Sequence, residues 1–259
     1  MQFLRYSAAT DVGLQRSNNE DCYLSNPGNG LWLVADGIGG HEAGEIASAI
    51  ASQTIEKSVV AGKGLAEAIQ SAHHAILTAA ANGEGSQGMG STVVALLENG
   101  EKYQIGWVGD SRAYIWSPKL APNLYQLTRD HSYVQMLLDT GAIQESELAT
   151  HPEKNIITQC LGSLDLDYVE VDIFEGKWEK EDVIILCSDG LTDAVTNDNI
   201  ESILAQSKNV QTAAKNLIQS ALNNGGRDNI TVSVIASPFS SNQLLQATLN
   251  RIHKLFGRD

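Results

Sequence analysis

The pattern of apolar and polar positions along the chain predicts many strands and a few longer helices. Short apolar or alternating runs that are rich in Val, Ile, Trp and Tyr are typical of strands. Such runs lie at residues 2–9, 21–25, 30–35, 91–98, 101–109, 111–117, 123–128, 168–174, 182–188 and 229–236. Apolar residues at helical spacing predict helices at residues 42–60, 65–81, 132–139 and 210–224.

The order of these elements favours an α+β fold. Most strands follow one another through short turns, and the helices come mainly in pairs between the runs of strands. This order is typical of antiparallel sheets with helices packed outside, and it differs from the strand–helix alternation of a doubly wound fold. With 259 residues, of which 42% are hydrophobic, the chain can form one domain with a substantial core.

Charge and cysteine usage narrow the possible partners and compartments. A formal net charge of −14 argues against binding to nucleic acid or anionic lipid, which would repel the chain. Divalent cations held by aspartates would still let an acidic protein handle an anionic substrate.

The N-terminus lacks the apolar core of a signal peptide, and no apolar run is long enough to cross a bilayer. Since Cys22, Cys160 and Cys187 lack CxxC spacing, we expect a cytoplasmic protein with reduced thiols.

Aspartates recur at the ends of the predicted strands, often beside glycine. The stretch LWLVADGIGG places Asp36 at a strand end, and similar arrangements recur in WVGDSRAYIW and ILCSDGLTDAV. Taken singly, each such aspartate is more often a turn former or a helix cap than a ligand. As a set at strand edges, they suit hard divalent cations, which prefer oxygen ligands. The candidate ligands are Asp21, Asp36, Asp110, Asp189, Asp193 and Asp228.

Several stretches in fixed order carry a family resemblance. They include TDVGLQRSNNED at 10–21, VADGIGGHEAGEIAS at 34–48, GMGSTVVALL at 88–97, VGDSRAYIW at 108–116, LCSDGLTDAV at 186–195 and GGRDNITVSVI at 225–235. Together they resemble the metal-dependent Ser/Thr protein phosphatases of the PP2C family, in the compact bacterial form. The resemblance implies a four-layer α/β/β/α sandwich, in which helix pairs flank two antiparallel sheets.

The same resemblance implies a dinuclear Mn²⁺ or Mg²⁺ site at one end of the sandwich. Asp36 matches the carboxylate that bridges the two ions, and Asp189 and Asp228 match the remaining protein ligands of one ion. The Gly37 carbonyl and Asp21 would serve the other ion, with Asp21 acting through a water. A weaker third ion is expected at two further aspartates, Asp110 and Asp193.

Four other residues complete the site that the resemblance implies. Arg16 matches an arginine that grips the phosphate group, although a salt bridge to Glu20 is the alternative. His41 is a candidate general acid for the leaving oxygen, and a role at the start of a helix is the alternative. Glu20 is expected to orient metal-bound water, and Asn229 to lie just outside the ligands.

The expected reaction follows from the chemistry of paired cations. Two cations about 4 Å apart can hold and acidify one bridging water, which then attacks a phosphomonoester in line with the leaving oxygen. We expect hydrolysis of phosphoserine and phosphothreonine in proteins, with a cognate Ser/Thr kinase or its substrates as partners. The alternatives are a catalytically silent phosphoprotein-binding module of the same fold and a hydrolase of small phosphomonoesters.

The resemblance also divides the chain. Residues 1–237 match the catalytic domain, and residues 131–155 match the flap of bacterial members. The tail, 238–259, extends past the last strand, with Leu245, Leu249, Ile252 and Phe256 at the spacing of one helical face. A self-packed or frayed terminal helix, a docking peptide and a weak membrane contact are the alternatives for this tail. We expect a monomer.

Overall fold

Two antiparallel sheets form the centre of the molecule. The computed structural model describes residues 4–39 and 43–239. In chain order its strands are β1 Tyr6–Asp11, β2 Asp21–Asn26, β3 Leu31–Ile38, β4 Gly90–Ser91, β5 Val93–Asn99, β6 Lys102–Val108, β7 Arg112–Trp116, β8 Leu124–Gln126, β9 Asp172–Lys177, β10 Val183–Cys187 and β11 Ile230–Ala236. The first sheet has the order β1, β11, β10, β7, β8, and the second has β2, β3, β5, β6, β9, with β4 paired to β3.

Helices cover the outer faces of both sheets. The helices of the described residues are α1 Ala43–Val60, α2 Leu65–Ala81, α3 Tyr133–Asp139, α4 Asp189–Thr192, α5 Asn197–Gln206 and α6 Val210–Asn223, with a 3₁₀ helix at Glu145–Thr150. The pair α1 and α2 packs on the second sheet, whereas α5 and α6 pack on the first. None of the helices in the described ranges is long and apolar enough for a membrane span. Beyond Phe239, the predicted tail lies outside the described residues.

Three apolar layers hold the four structural layers together. Between the sheets, Trp32 and Val34 of β3 pack with Ile184 and Leu186 of β10, and all four are fully buried. The alternate residues of these strands face the helices and join the two outer clusters. Strands that are buried on both faces have continuous apolar sequences, which explains LWLVA and VIILC. The α/β/β/α sandwich expected from the sequence is confirmed.

The helix α5 is an element that the apolar pattern does not predict. Its sequence, NDNIESILAQ, is mostly polar, and within the helix the buried residues are Ile200 and Leu204. A capping signal is nevertheless present, because the Thr196 side chain accepts a hydrogen bond from Asn199 N. Contact with the rest of the fold, rather than periodicity, stabilises this helix.

Three predicted strands are wrong at their boundaries, and the first of them, expected at 2–9, is β1, Tyr6–Asp11. The strand expected at 168–174 is β9, Asp172–Lys177, and Val169 instead packs into the cluster beneath α1 and α2. The strand expected at 91–98 is interrupted at Thr92, between β4 and β5. Val169 and Thr92 both contact elements that are distant along the chain, and local sequence does not encode such contacts.

Strand directions bring the candidate ligands to one end of the sandwich. The strands β7 and β11 begin where β10 ends, because both pair with β10 in antiparallel register. Asp189 follows the end of β10, and Asp110 and Asp228 lie just before β7 and β11. In the second sheet, Asp21 at the start of β2 pairs with Asp36 near the end of β3.

The layered core predicts unequal effects of two isoleucine truncations. Ile184→Ala removes a fully buried side chain between the sheets and should lower the free energy of unfolding by about 2–5 kcal/mol. Ile173→Ala, the matched control on β9, truncates a side chain that is 37% exposed and should cost less than about 1.5 kcal/mol. Urea denaturation of both variants measures the difference, and equal losses would contradict the layer assignment.

Candidate metal centre

Hydrogen bonds from a neighbouring strand hold the backbone of Asp36. Its amide donates to Thr92 Oγ1 at 3.2 Å, and its carbonyl accepts from Thr92 N at 2.8 Å and from the Ser91 hydroxyl at 3.1 Å. The Thr92 hydroxyl also lies 2.7 Å from the hydroxyl of Ser111, which follows Asp110. This buried hydroxyl pair fixes the segments of Asp36 and Asp110 relative to each other.

Buried hydroxyl groups link Asp21 of the second sheet to the first sheet. Ser188 Oγ donates to Asp21 Oδ2 at 2.7 Å, and Thr231 N donates to Ser188 Oγ at 3.0 Å. The Thr231 hydroxyl in turn lies 2.7 Å from that of Thr10. Within the described ranges, Asp21 Oδ1 is buried without a hydrogen-bond partner. One carboxylate oxygen is therefore anchored by the protein, and the other is left for a cation.

Three glycines allow chain segments around these carboxylates to pack closely against one another. A Cβ on Gly37 would lie 2.1 Å from the Gly44 carbonyl oxygen, and a Cβ on Gly190 would lie 2.0 Å from the Asn229 carbonyl oxygen. A Cβ on Gly44 would lie 2.7 Å from Glu20 Oε2 and 2.9 Å from the Gly37 carbonyl oxygen. The space beside this carbonyl and carboxylate is therefore kept free by the absence of a side chain.

Asn229 ties the loop that precedes Asp21 to the start of β11. Its Oδ1 accepts from Glu20 N at 2.8 Å, and its Nδ2 donates to the carbonyls of Val12 and Asn18, each at 2.9 Å. These bonds use the whole side-chain amide. Asn229 thus holds backbone, and through it the position of Asp21.

Burial raises the pKa of the carboxyl groups in this cluster. It raises the pKa of Asp21 to about 7, that of Asp189 to about 6 and that of Asp110 to about 8, and neighbouring carboxylates add to each shift. For the fully buried Asp36, burial and then repulsion from Asp21 raise the pKa well above its ordinary value. Ionising these groups together near neutral pH requires a compensating positive charge.

The donor set fits a hard divalent cation. Asp189 Oδ1, like Asp21 Oδ1, is a buried oxygen without a hydrogen-bond partner in the described part of the chain. Carboxylate and carbonyl oxygens are the ligands that Mn²⁺ and Mg²⁺ prefer. Among residues 4–39 and 43–239, no three His, Cys, Asp or Glu side chains already have the arrangement of a metal site. The fit therefore rests on the chemistry and burial of the donors.

Two cationic side chains contact candidate ligands at the rim of the cluster. Arg16 donates to Asp228 Oδ2 at 2.7 Å, which replaces the expected alternative of a pair with Glu20. Lys154 Nζ lies 2.6 Å from Asp193 Oδ2. His41, the candidate general acid, lies outside the described residues.

Sequence reasoning missed three residues of this centre. Ser188 had a usable signal, because it directly precedes Asp189 in LCSDGLTDAV. Thr92 lies in the family stretch GMGSTVVALL, but its bond to Asp36 spans 56 positions. The contact of Lys154 with Asp193 has no local signal, since the segment containing Lys154 must first fold back over the site.

Fold and site together define a class of protein: an α/β/β/α sandwich with a cluster of buried aspartates at one end, whose chemistry fits a hard cation. The family comparison agrees, since residues 15–224 match the model described as Protein phosphatase 2C. The chain belongs to the protein phosphatase 2C family. The predicted family and the predicted phosphoprotein phosphatase class are thereby confirmed.

Bacterial relatives support this assignment over most of the chain. The serine/threonine phosphatase Stp of Listeria welshimeri is 36% identical over 239 residues, which cover 87% of this chain and 93% of the relative. The crystal structure of Stp1 from Staphylococcus aureus is similar with a TM-score of 0.81 and 33% identity, covering 91% of this chain and 95% of Stp1. The crystal structure of the PstP catalytic domain in complex with two manganese ions is similar with a TM-score of 0.77 and 32% identity. The match covers 90% of this chain and 98% of the PstP domain.

The raised pKa values predict how pH affects the stability of metal-stripped protein. The carboxyl groups of Asp21, Asp110 and Asp189 titrate near 7, 8 and 6 in the folded state, and near 3.9 in unfolded chains. Between these values the folded state binds more protons, so the free energy of unfolding should fall as pH rises from about 4 to about 8. Mn²⁺ requires the ionised groups, so it should raise the melting temperature more at about pH 8 than at about pH 5.5.

Thermal melts with and without Mn²⁺ across this pH range provide the measurement. Asp21→Asn is the matched control, since it removes one of the titrating groups and should flatten the slope. A Mn²⁺-induced shift that does not depend on pH would contradict the assignment.

Proposed function

We propose that this member of the family is a metal-dependent phosphatase that hydrolyses phosphoserine and phosphothreonine in proteins. The observation that carries the proposal is the cluster of buried carboxylates, with two oxygens, Asp21 Oδ1 and Asp189 Oδ1, that have no partner among the described residues. The two manganese ions of the PstP catalytic domain support Mn²⁺ or Mg²⁺ as the cation.

The residues of the cluster divide into two ligand groups in this proposal. Asp36 would be shared by both groups, Asp189 and Asp228 would complete the group that holds one ion, and the Gly37 carbonyl and Asp21, the latter through a water, would hold the other. Ions bound in this way acidify water and offset the negative charge of the phosphate group. Burial strengthens both effects, because electrostatic interactions are stronger away from solvent.

Arg16 positions the phosphate group of the substrate. Its guanidinium and the Asp228 carboxylate are 53% and 36% exposed, so their ion pair contributes little to stability. The guanidinium can therefore exchange this partner for two phosphate oxygens, which match its pair of parallel donors. Glu20, whose pKa is raised by burial, faces the same space and orients the attacking water. His41 remains the candidate for protonating the leaving oxygen.

Asp110 and Asp193 would hold a weaker third ion in this proposal. Lys154 already supplies a positive charge to Asp193, at 2.6 Å. Asp193 raises the pKa of Asp189 and Lys154 lowers it, so the two rim groups act on the core carboxylate in opposite directions. The third ion and the lysine therefore compete for one carboxylate.

The remaining assignments follow from the reaction class. Residues 1–237 act as the catalytic domain, and the segment 131–155 acts as a flap over the site. Its two ends are joined by hydrogen bonds between Tyr133 N and the Ile156 carbonyl and between Thr158 N and the His131 carbonyl.

Phosphorylated proteins, including a cognate kinase or its substrates, are the partners of a monomeric enzyme. All three cysteines are free, which suits a reducing compartment such as the cytoplasm.

Two aspartate variants distinguish the contribution of the two core ions to catalysis from that of the third ion. Asp36→Asn should lower kcat/KM on a phosphothreonine peptide at least a thousandfold, or about 4 kcal/mol, because it removes the shared ligand. Asp193→Asn should lower it by no more than about tenfold, because the two core ligand groups remain. Rates are measured at saturating Mn²⁺, and circular dichroism verifies folding. Equal losses in the two variants would contradict the division.

A panel of substrates distinguishes the proposed protein phosphatase from a hydrolase of small phosphomonoesters and from a catalytically silent binding module. Metal-stripped protein is assayed with phosphopeptides and with sugar phosphates, with and without added Mn²⁺. Faster metal-dependent turnover of phosphopeptides supports the proposed function, whereas equal or better turnover of sugar phosphates favours the small-ester hydrolase. Folded protein that binds phosphopeptides and hydrolyses none would be the silent binding module.

The competition at Asp193 predicts a gain of metal sensitivity. Lys154→Met should lower the Mn²⁺ concentration for half-maximal activation about two- to fivefold, since an exposed ion pair is worth about 0.5–1 kcal/mol. Lys119→Met, which removes the exposed ion pair with Glu179, is the matched control and should leave activation unchanged. Titration calorimetry with Mn²⁺ checks the same shift independently of turnover, and an unchanged affinity would refute the competition.

A further inference from the structure

The position of Asp110 depends on contacts made by the residues on either side of it. The hydroxyl of Ser111, which follows Asp110, lies 2.7 Å from the buried hydroxyl of Thr92. Gly109, which precedes Asp110, has a φ of +104°, and a Cβ there would lie 2.7 Å from two side-chain atoms of Thr92. Thr92 therefore contacts the Asp110 loop from one side, and the backbone of Gly109 is bonded from another.

His131 makes two hydrogen bonds with the backbone of Gly109. The Gly109 amide donates to His131 Nδ1 at 3.1 Å, and the His131 amide donates to the Gly109 carbonyl at 2.9 Å. The two residues are 22 positions apart along the chain. Because one residue bonds both the amide and the carbonyl of Gly109, a displacement of His131 would displace the backbone next to Asp110.

Three neighbouring side chains orient the imidazole ring of His131. Gln159 Nε2 lies 3.0 Å from Nδ1, and the orientation of this amide is fixed because Glu170 N donates to Gln159 Oε1 at 2.6 Å. The ring of Trp107 stacks on the imidazole, with centroids 6.4 Å apart. Asp172 Oδ2, at the start of β9, lies 3.4 Å from Nε2. Since the His131 side chain is 14% exposed, these partners rather than water decide its hydrogen bonds.

The contacts of His131 select one tautomer of the ring. Nδ1 faces two N–H donors, from Gly109 and Gln159, so it presents its lone pair to them. The proton of the neutral ring is then on Nε2, which faces the Asp172 carboxylate. Asp172 thus favours the form of His131 that accepts a hydrogen bond from Gly109.

We propose that His131 is a positioning residue of the metal centre, which fixes Gly109 and thereby the carboxylate of Asp110, while Asp172 sets the tautomer that His131 needs. The inference rests on the proposed function in one respect, that Asp110 is a ligand of the weaker third ion. Partners that orient a ligand from outside typically change the affinity for the ion although they do not touch it. His131 therefore acts on the third ion through the backbone of Gly109.

Titration calorimetry of the full-length, metal-stripped protein with Mn²⁺ tests the role of the ring. His131→Leu keeps much of the bulk and removes the acceptor, so it should weaken the third Mn²⁺ at least about tenfold and leave the two tighter ions within about twofold. His131→Asn restores an acceptor oxygen close to the position of Nδ1 and should bring the third affinity back to within about threefold of the wild type. Circular dichroism verifies folding.

Two substitutions on β9 form a matched pair for the role of Asp172. Asp172→Ala removes the partner of Nε2 and should weaken the third Mn²⁺ about two- to fivefold, as expected for a partly exposed contact. Glu175→Ala removes a carboxylate from the same strand that accepts a hydrogen bond from Gln104, and it should leave the affinity unchanged. Both side chains reach the surface, so folding of these variants is expected.

Two measurements on the metal-stripped protein test the hydrogen bonds themselves. A long-range ¹H–¹⁵N correlation spectrum should show a proton on Nε2 of His131 and none on Nδ1. The Gly109 amide should exchange with deuterium at least about tenfold faster in His131→Leu than in the wild type or in His131→Asn. A role in general stability would speed exchange throughout the core instead.

Several results would overturn the proposal. A proton on Nδ1, or equal exchange of the Gly109 amide in all three proteins, would remove its structural basis. An unchanged third affinity in His131→Leu, a loss that His131→Asn does not restore, or a wild type that binds only two Mn²⁺ would refute the role toward Asp110. The expected Mn²⁺ pattern without phosphopeptide hydrolysis would count against the proposed function alone, because none of these measurements requires turnover.

Discussion

Burial of several like charges at one end of the sandwich is the constraint on which the rest of the structure depends. Asp21, Asp36, Asp110 and Asp189 lie within one electrostatic cluster, and burial raises the pKa of each. Such groups are costly to ionise unless cations or hydrogen-bond donors compensate them. The protein provides donors to only some of their oxygens. The remaining oxygens define where cations are needed, and so connect the fold to the chemistry of phosphate esters.

The sandwich satisfies this constraint by joining its sheets through polar groups at one end and apolar groups along the middle. The apolar layer that contains Trp32 and Ile184 fixes the distance between the sheets. At the end of that layer, the Ser188 hydroxyl, which accepts a hydrogen bond from Thr231 N, donates to Asp21 of the second sheet. Because one partner of each contact stands on a rigid strand, the carboxylates are held with little freedom to separate. This preorganisation is what a metal centre requires of its ligands.

Charge balance at the rim differs from that in the buried cluster. Arg16 and Lys154 each pair with a candidate ligand, Asp228 and Asp193, and both pairs are partly exposed. Exposed pairs are weak and can exchange partners, whereas the buried carboxylates cannot do without a compensating charge. This difference fits the proposed function, in which one acidic site attracts cations and still admits a phosphate group.

The sequence by itself determined the elements whose pattern is local. Continuous apolar runs mark the buried strands, helical spacing marks α1, α2 and α6, and Asp-Gly stretches in fixed order mark the family and the candidate ligands. It did not determine α5, which is polar and held by tertiary contacts, or the start of β9. Nor did it reveal the contacts of Thr92, Ser188 and Lys154, because these join residues that are distant along the chain. Only the tertiary structure decided which oxygens are anchored and which remain for a cation, since burial and pairing depend on all the elements packed around a side chain.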